Sequence, residues 1–231
     1  DIVQNEPPDY LGPAIEVEGS TEYLRIILPS AEHPKYSDVL SLMRKWNFLR
    51  DRAHRHWWWL RDSSKVLDFL ASHQEDFELD YDAEFTENFR KQTKVIGKTC
   101  LRAKAVESVE GTELEVRFEA GDTPQDEIEH ALSTGQNHVR HGKKVYLITR
   151  ELREKASQLQ RRLSGDLEAP LLSQFSHTVE KYQATSLEEY VLSADPRFKP
   201  PAEWRKRSVA LQNLSSLKAP ALPGNLDEIL R

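Results

Sequence analysis

The amino-acid sequence predicts an α+β fold, in which helices pack on short antiparallel hairpins and a mostly helical C-terminal tail follows. Apolar and charged residues alternate over residues 114–118, which is typical of a strand with one face in water. Val39, Leu40 and Met43 follow the spacing of one helix face. Five Trp, seven Tyr and eight Phe supply core side chains, so the composition excludes a chain that is disordered throughout.

The N-terminal elements follow from apolar spacing and from the positions of Pro and Gly. Residues 1–21 lack a sustained period and predict a loosely ordered leader, which precedes an α+β accessory domain over residues 22–165. Gly97 is expected to end the last helix of this part. The predicted elements are a strand over 23–28, a helix over 36–50, a strand over 56–61, a helix capped by Ser63 or Ser64, and a helix over 83–96.

The middle of the chain predicts two hairpins separated by a helix. Turns at residues 110–111 and 141–143 join the strands of the two hairpins. Thr123 is the expected cap of the helix between them, and Pro124 is its expected first residue. The predicted elements are strands over 100–106, 114–118, 138–140 and 145–148, and helices over 123–135, 149–163, 171–182 and 203–214. Residues 166–231 are therefore predicted to form a helical segment and linker.

Charge is unevenly distributed along the chain. The formal net charge of −6 argues against a generic polyanion-binding protein. Cations nevertheless dominate residues 44–65 and 197–207, while an acidic block covers residues 75–87. Lys and Arg can contact phosphate, and an exposed Trp among arginines can stack on a base or dock a partner. The candidate contact residues are Arg44, Lys45, Arg50, Arg52, Arg55, Trp58, Arg61, Arg197, Lys199, Arg205, Lys206 and Arg207.

Each of these clusters also has a structural interpretation. On a strand, Trp57 and Trp59 share one face and Trp58 takes the other, so one face is expected in the core and the odd ring outside. Alternatively, all three rings are buried or covered by arginine stems. The second cluster, which contains Phe198 and Trp204, could equally be a solvated helix face or an ion-pair partner of the acidic block.

No catalytic or metal-binding motif meets its chemical requirements. Residues 97–99 read Gly-Lys-Thr, as at the end of a phosphate-binding loop, but Gln92 stands where that loop needs a glycine. The tripeptide is expected to stop a helix instead. Residues 80–91 lack the glycine and the final glutamate of a calcium loop. The single cysteine, Cys100, excludes an internal disulfide framework and cannot complete a zinc cluster with the histidine pairs.

The second half of the chain has a distinctive order of elements. A strand at residues 115–118 precedes a helix that ends at Gly135, then two short strands and a long helix. This order resembles the region upstream of the motor in bacterial Swi/Snf-type superfamily 2 helicases. In that family a proline-containing linker leads into a Leu-Arg-Pro-Tyr-Gln-like motif that opens the ATPase, and Leu230-Arg231 match its first two residues.

The resemblance implies that the parent protein is an ATP-driven translocase on double-stranded nucleic acid. The phosphate-binding loop, the acidic pair and the arginine finger would all belong to a motor beyond this chain. We therefore expect a non-catalytic accessory region with no cofactor of its own, whereas the motor would use ATP and magnesium. The expected partners are the ATPase core of the same polypeptide, double-stranded DNA and another protein.

The alternative hypothesis is a protein-interaction adaptor with no role on nucleic acid. The segregated charge and the tryptophan run would then form a docking surface for a protein. A cytoplasmic location is expected, because one cysteine fits a reducing compartment and no apolar run approaches the ~20 residues that span a bilayer.

Overall fold

A computed structural model describes residues 12–108, 111–180, 183–206 and 209, and the predicted α+β fold is confirmed. The strands are β1 (Glu16–Gly19), β2 (Leu24–Ile27), β3 (Leu49–Arg50), β4 (Trp57–Leu60), β5 (Glu84–Phe85), β6 (Ile96–Lys98), β7 (Cys100–Glu107), β8 (Thr112–Glu119), β9 (His138–His141), β10 (Lys144–Leu147) and β11 (Gln174–Val179). The helices are α1 (Tyr36–Lys45), α2 (Ser63–Leu79), α3 (Glu87–Gln92), α4 (Gln125–Ser133), α5 (Arg150–Ser164) and α6 (Ala184–Ala194), and residues 202–206 are also helical.

The first half of the chain is organised around a five-stranded sheet. Its strand order is β3-β4-β2-β1-β5, with β1 and β5 parallel and the other neighbours antiparallel. The inner face contributes Val17, Leu24 and Ile26 to a core that also contains Val39 of α1 and Leu67 of α2. Because side chains alternate across a strand, every second residue of this sheet is directed away from that core.

The second half is built on a three-stranded antiparallel sheet of order β11-β8-β7. Alternate residues of β8, namely Leu114, Val116 and Phe118, are fully buried. They pack in a second core with the apolar stripes of α4, α5 and α6. The predicted hairpin with one wet face is confirmed, and the alternation of apolar and charged residues is its cause.

A small sheet of order β6-β10-β9 lies between the two cores. Val145 and Leu147 belong to the first core, whereas Val139 and Ile148 belong to the second. Asp68 of α2 ties the halves together: its Oδ1 accepts hydrogen bonds from the Asn137 backbone N–H and from His138 Nδ1, both at 3.0 Å. The two halves are thus joined by shared packing and by a part-buried carboxylate.

Local signals correctly predict α5 but not the cap of α4, where Pro124 instead of Thr123 is the N-cap and no side-chain hydrogen bond caps the helix. Thr149 caps α5 by accepting from the Leu152 backbone N–H at 3.2 Å, and Gly165 ends this helix with a left-handed φ of 71°. The cap of α2 differs from expectation. Asp62, rather than Ser63 or Ser64, accepts from two backbone N–H groups at 3.1 Å.

Two predicted helices of the first half are wrong in extent. The helix predicted over 36–50 ends at Lys45, because Asn47 has a φ of 58° and the chain turns into β3. The helix predicted over 83–96 is reduced to α3, since Glu84–Phe85 pair with β1 and Ile96–Lys98 pair with β10. In the second case strand partners distant in sequence override the helical spacing, whereas in the first case β3 pairs with the nearby strand β4.

The C-terminal tail contains one further correction. The helix predicted over 171–182 is wrong: residues 174–179 form β11, which pairs with β8, and α6 follows it. The helix predicted over 203–214 is helical at 203–206, and most of its remainder lies outside the described residues. Both β11 and α6 contribute to the second core, so the structure shows no loss of packing at residue 165, and the domain boundary there stays a prediction. Within the predicted leader, residues 16–19 form β1 and residues 1–11 lie outside the described part.

Among the helices that the structure describes, none has both the length and the apolar character needed to cross a membrane.

Candidate nucleic-acid interface

The three consecutive tryptophans of β4 divide between the two faces of the five-stranded sheet. Trp58 lies opposite Ile26 in the register and packs against the first core. Trp57 and Trp59 lie opposite Ile27 and Arg25 on the other face. The candidate contact residue Trp58 therefore faces the core side, and the two tryptophans expected inside are the outward pair. All three rings are half-buried and each has a guanidinium group over it, as the alternative interpretation predicts. The sequence contains one sign of this arrangement. Leu60 is aliphatic and shares a strand face with Trp58, which favours the core for that face.

The outward tryptophans are surrounded by cationic and aromatic side chains. The Arg25 guanidinium lies 4.3 Å from the Trp57 ring centroid, and the Arg61 guanidinium lies 4.6 Å from that of Trp59. His54 stacks on Trp57 with a centroid distance of 3.9 Å. A cation over an indole face is attracted by the ring quadrupole, so these contacts hold the rings and the cations together. Arg25 also forms ion pairs with Glu18 and Glu16. These carboxylates neutralise part of the Arg25 charge, so it is less available to a ligand.

The loop between β3 and β4 is organised by the Asp51 carboxylate. Its Oδ1 accepts from the Ala53 and His54 backbone N–H groups at 2.8 Å, and its Oδ2 accepts from Trp59 Nε1 at 3.2 Å. The hydrogen bond from the His54 backbone, with those from Ala53 and Trp59, lowers the pKa of Asp51 despite some desolvation. Asp51 thus remains ionised and holds the loop that carries Arg52 and Arg55.

A groove opens beside Trp59 at the β3 edge of the sheet. It encloses about 580 Å³ and is lined by residues of the β3–β4 loop, the strand ends and the start of α2. Leu49 lies opposite Trp59 in the register and is 73% exposed, so an apolar patch forms part of the groove. The lining residues are Asn47, Leu49, Arg50, Asp51, Arg52, Ala53, Trp59, Leu60, Arg61, Asp62 and Lys65.

The cations around this groove keep their charge available to a ligand. Arg50, Arg52, Arg55 and Arg61 are exposed, and no carboxylate in the described part of the chain forms an ion pair with any of them. Arg44 and Lys45, in the last turn of α1, are likewise exposed and unpaired with described carboxylates. We call Leu49, Trp57 and Trp59, together with these four arginines of residues 50–61, the basic–aromatic surface.

The second predicted cluster has a different character. Trp204 is fully buried and Phe198 nearly so, and their rings pack together in the second core at a centroid distance of 5.8 Å. They cannot stack on a base, so the aromatic part of that cluster is structural. Arg197, Lys199, Arg205 and Lys206 are exposed, while Arg207 lies outside the described residues.

The acidic block does not pair with either basic cluster in the described part of the chain. Glu75 accepts from Lys98 Nζ at 2.8 Å, and Asp76 accepts from Arg150 Nη2 at 2.9 Å. These contacts connect α2 with β6 and α5. The acidic side chains therefore take part in the packing of the two halves.

Gly97 and Lys98 of the Gly-Lys-Thr tripeptide lie on β6 and Thr99 follows it, so the expected helix stop is wrong. Gly97 pairs with Tyr146 across β6 and β10, and a Cβ atom at Gly97 would lie 2.8 Å from a Tyr146 ring carbon. The glycine is thus explained by the close approach of this ring. Within the described residues, no group of three or more His, Cys, Asp or Glu side chains is arranged to hold a metal ion. Burial raises the pKa of the Cys100 thiol.

Searches for similarity were made against protein-family models, curated proteins and solved structures. None of the three comparisons found a match to this chain.

Proposed function

We propose that this chain is a non-catalytic accessory region of a bacterial Swi/Snf-type ATP-dependent translocase and that it binds nucleic acid. The observation that carries the proposal is the basic–aromatic surface: four exposed arginines without described ion pairs lie within residues 50–61, the same segment that carries the outward pair Trp57 and Trp59. The family assignment rests on the order of elements from β8 to α5 and on the sequence of the tail.

Electrostatics favours a polyanion at this surface although the whole chain is acidic. Nucleic-acid affinity depends on local cations, because each phosphate neutralised by Lys or Arg releases condensed counterions. The net charge of −6 is spread over the whole molecule. It repels a polyanion at this surface only weakly, because charges further away than a Debye length of about 8 Å are screened at physiological salt. Arg44 and Lys45 extend the positive charge beyond the groove. A second patch is formed by Arg197, Lys199 and Arg205, which are exposed, whereas Lys206 pairs with Glu203.

In this role the chain positions a motor and adds contacts to its DNA track. ATP and magnesium would be bound by the ATPase core of the same polypeptide, and the location would be cytoplasmic. In this role residues 97–99 take no part in nucleotide binding, because Gly97 and Lys98 lie on β6 and Lys98 pairs with Glu75.

The test is a salt titration of the purified 231-residue chain with a fluorescently labelled DNA duplex. We expect binding at low salt that weakens steeply towards physiological salt. No binding at low salt would contradict the proposal. ATP hydrolysis above background by the same preparation would contradict its non-catalytic part.

A protein-interaction adaptor is the second candidate. The exposed Leu49 beside Trp59 favours it, because an apolar patch rimmed by cations also suits an acidic protein partner. Absence of DNA binding at low salt, combined with saturable binding of a defined acidic polypeptide such as polyglutamate, would favour the adaptor over the nucleic-acid module.

A further inference from the structure

The groove beside Trp59 combines an apolar wall with a cationic rim. Leu49 and Trp59 are register neighbours on β3 and β4 and form the apolar wall. The volume of about 580 Å³ falls within the range of pockets that hold small organic ligands, roughly 300–1,000 Å³. The groove is therefore large enough for a planar aromatic group with its substituents.

Trp59 is held in place, and its polar atom is already used. The indole Nε1–H donates to Asp51 Oδ2, and Arg61 lies over the ring. Because the N–H is engaged, and because the Arg61 and Arg25 guanidinium groups lie 4.6 Å and 5.6 Å from the ring centroid, the indole can offer a ligand only the apolar surface that these cations leave open. Recognition through Trp59 is then stacking, which accepts any base, rather than hydrogen bonding to particular base edges.

Both carboxylates of the groove are engaged with the protein itself. Asp51 holds the β3–β4 loop, and Asp62 caps α2 through the Ser64 and Lys65 backbone N–H groups. The lining cations outnumber them: these are Arg50, Arg52, Arg61 and Lys65. Among these four cations, only Lys65 lies within ion-pair distance of a described carboxylate, and its Nζ is 3.9 Å from Asp62 Oδ2. The rim thus retains positive charge for a ligand's phosphates.

We infer that this groove binds an unpaired nucleotide of single-stranded nucleic acid, with the base against Leu49 and Trp59 and the flanking phosphates on the arginine rim. The inference rests on the proposed function, because it names the form of nucleic acid that the same surface takes. In a duplex, the base faces are covered by neighbouring base pairs and cannot reach Trp59. An unpaired base exposes its face, so the apolar wall adds affinity only for the single strand.

The experiment compares a labelled 15-mer of thymidylate with a 15-base-pair duplex, using the full chain and fluorescence anisotropy at two salt concentrations. Two variants probe the wall. Trp59→Ala removes the stacking surface, and Leu49→Glu places a carboxylate at a position that is 73% exposed and tolerant of substitution. Leu79→Glu is the matched control, since Leu79 is 81% exposed at the end of α2 and lies outside the groove lining.

We expect the thymidylate strand to bind more tightly than the duplex. Trp59→Ala and Leu49→Glu should each weaken single-strand binding by about fivefold to a hundredfold, the range expected for loss of one stacked base. Leu79→Glu should leave it unchanged. Circular dichroism confirms that each variant is folded, and Leu49→Glu keeps the test decisive if Trp59→Ala unfolds.

Three outcomes would overturn the inference, and they are distinguishable. Salt-dependent binding of both forms with equal affinity, unaffected by Leu49→Glu, would leave the proposed function standing and remove the nucleotide site. Displacement of the thymidylate strand by polyglutamate at equal charge would indicate a generic acidic partner. Absence of any binding at low salt would remove both the inference and the proposed function.

Discussion

The outward face of the β7–β8 hairpin and the outward face of β4 both result from the alternation of side chains along a strand. They differ in how their cations are neutralised. On the β7–β8 hairpin, Arg102, Lys104 and Arg117 stand among Glu113, Glu115 and Glu119. Arg102 and Arg117 both bond to Glu119, and Arg102 also pairs with Asp195, so both guanidinium groups are paired with carboxylates. On β4, tryptophans occupy the corresponding outward positions. Arg61 lies over Trp59 and forms no ion pair in the described part of the chain, whereas Arg25 lies over Trp57 and also pairs with Glu18.

This difference shows why a count of charges does not identify a binding surface. A guanidinium that pairs with a carboxylate contributes little net field, whereas one that stacks on an indole keeps its full charge beside an apolar surface. The paired charges of the β7–β8 face thus stabilise the fold, whereas the cations of the basic–aromatic surface remain available to a ligand. Four predictions test this contrast, ordered from the largest expected effect to the smallest.

The largest effect is expected from Asp195, which secures the edge of the β7–β8 face. Its carboxylate is 3% exposed and accepts from the Ala103 N–H at 3.0 Å and from Arg102 Nη1 at 3.2 Å. Asp195→Ala should lower the free energy of unfolding by about 3 kcal/mol, because it leaves the Ala103 N–H without its acceptor and removes the more buried of the two carboxylates that bind Arg102. Urea denaturation measures the loss. A decrease no larger than that of the exposed control Glu113→Gln would show that this face is not held by its ion pairs.

The next effect concerns ligand binding on the other face. Replacing Arg50, Arg52, Arg55 and Arg61 together with Gln should weaken DNA binding at low salt by about a hundredfold. It should also reduce the slope of log K against log salt by about three to four. The matched control replaces Lys104 and Arg117, on the β7–β8 face, with Gln and should leave the slope unchanged. Equal effects of the two replacements would remove the distinction between the faces.

A smaller effect is expected in the sheet between the two cores. Gly97→Ala would bring a methyl group to 2.8 Å from the Tyr146 ring and should lower the free energy of unfolding by about 1–2 kcal/mol. Binding of DNA should be unchanged in the folded variant. The double variant Gly97→Ala, Tyr146→Leu should lose less than the sum of the single variants, because the clash disappears with the ring. Strict additivity, measured by urea denaturation, would contradict the packing explanation.

The smallest effect is a pH dependence of the free energy of unfolding. It originates in the first half of the chain, which carries the basic–aromatic surface. His73 is a neutral ring whose Nε2 accepts from Trp46 Nε1 at 3.1 Å and whose Nδ1 donates to Asp76 at 2.8 Å. Burial lowers its pKa, and the nearby cations Arg150 and Lys45 lower it further, although Asp76 opposes them. Because the unfolded chain binds this proton more readily, the stabilisation is complete above the ordinary His pKa of about 6.5 and is lost as pH falls below it.

Denaturation at a series of pH values measures this contribution. The variant His73→Gln keeps an acceptor for Trp46 without a titrating ring, so its stability should fall less steeply below about pH 6.5 than that of the unchanged protein. Identical acid profiles for the two proteins would show that His73 is not the titrating group.

Elements with strong local signals could be predicted from the sequence because their causes are local. The β7–β8 hairpin follows from strict alternation, and α5 follows from Thr149 at one end and Gly165 at the other. The run of cations in residues 44–61 is also a property of the sequence alone. These features depend on neighbouring residues, so no knowledge of the tertiary fold is needed to find them.

Only the tertiary structure decided which residues of that run form a surface. A strand with three adjacent tryptophans has two possible faces, and the side on which α1 and α2 pack determines that Trp58 is inside and Trp57 and Trp59 are outside. Likewise, residues 84–85 and 174–179 become strands because β1 and β8 supply hydrogen-bonding edges from distant parts of the chain. Periodicity indicates that a face exists, whereas long-range pairing and packing decide which face meets water.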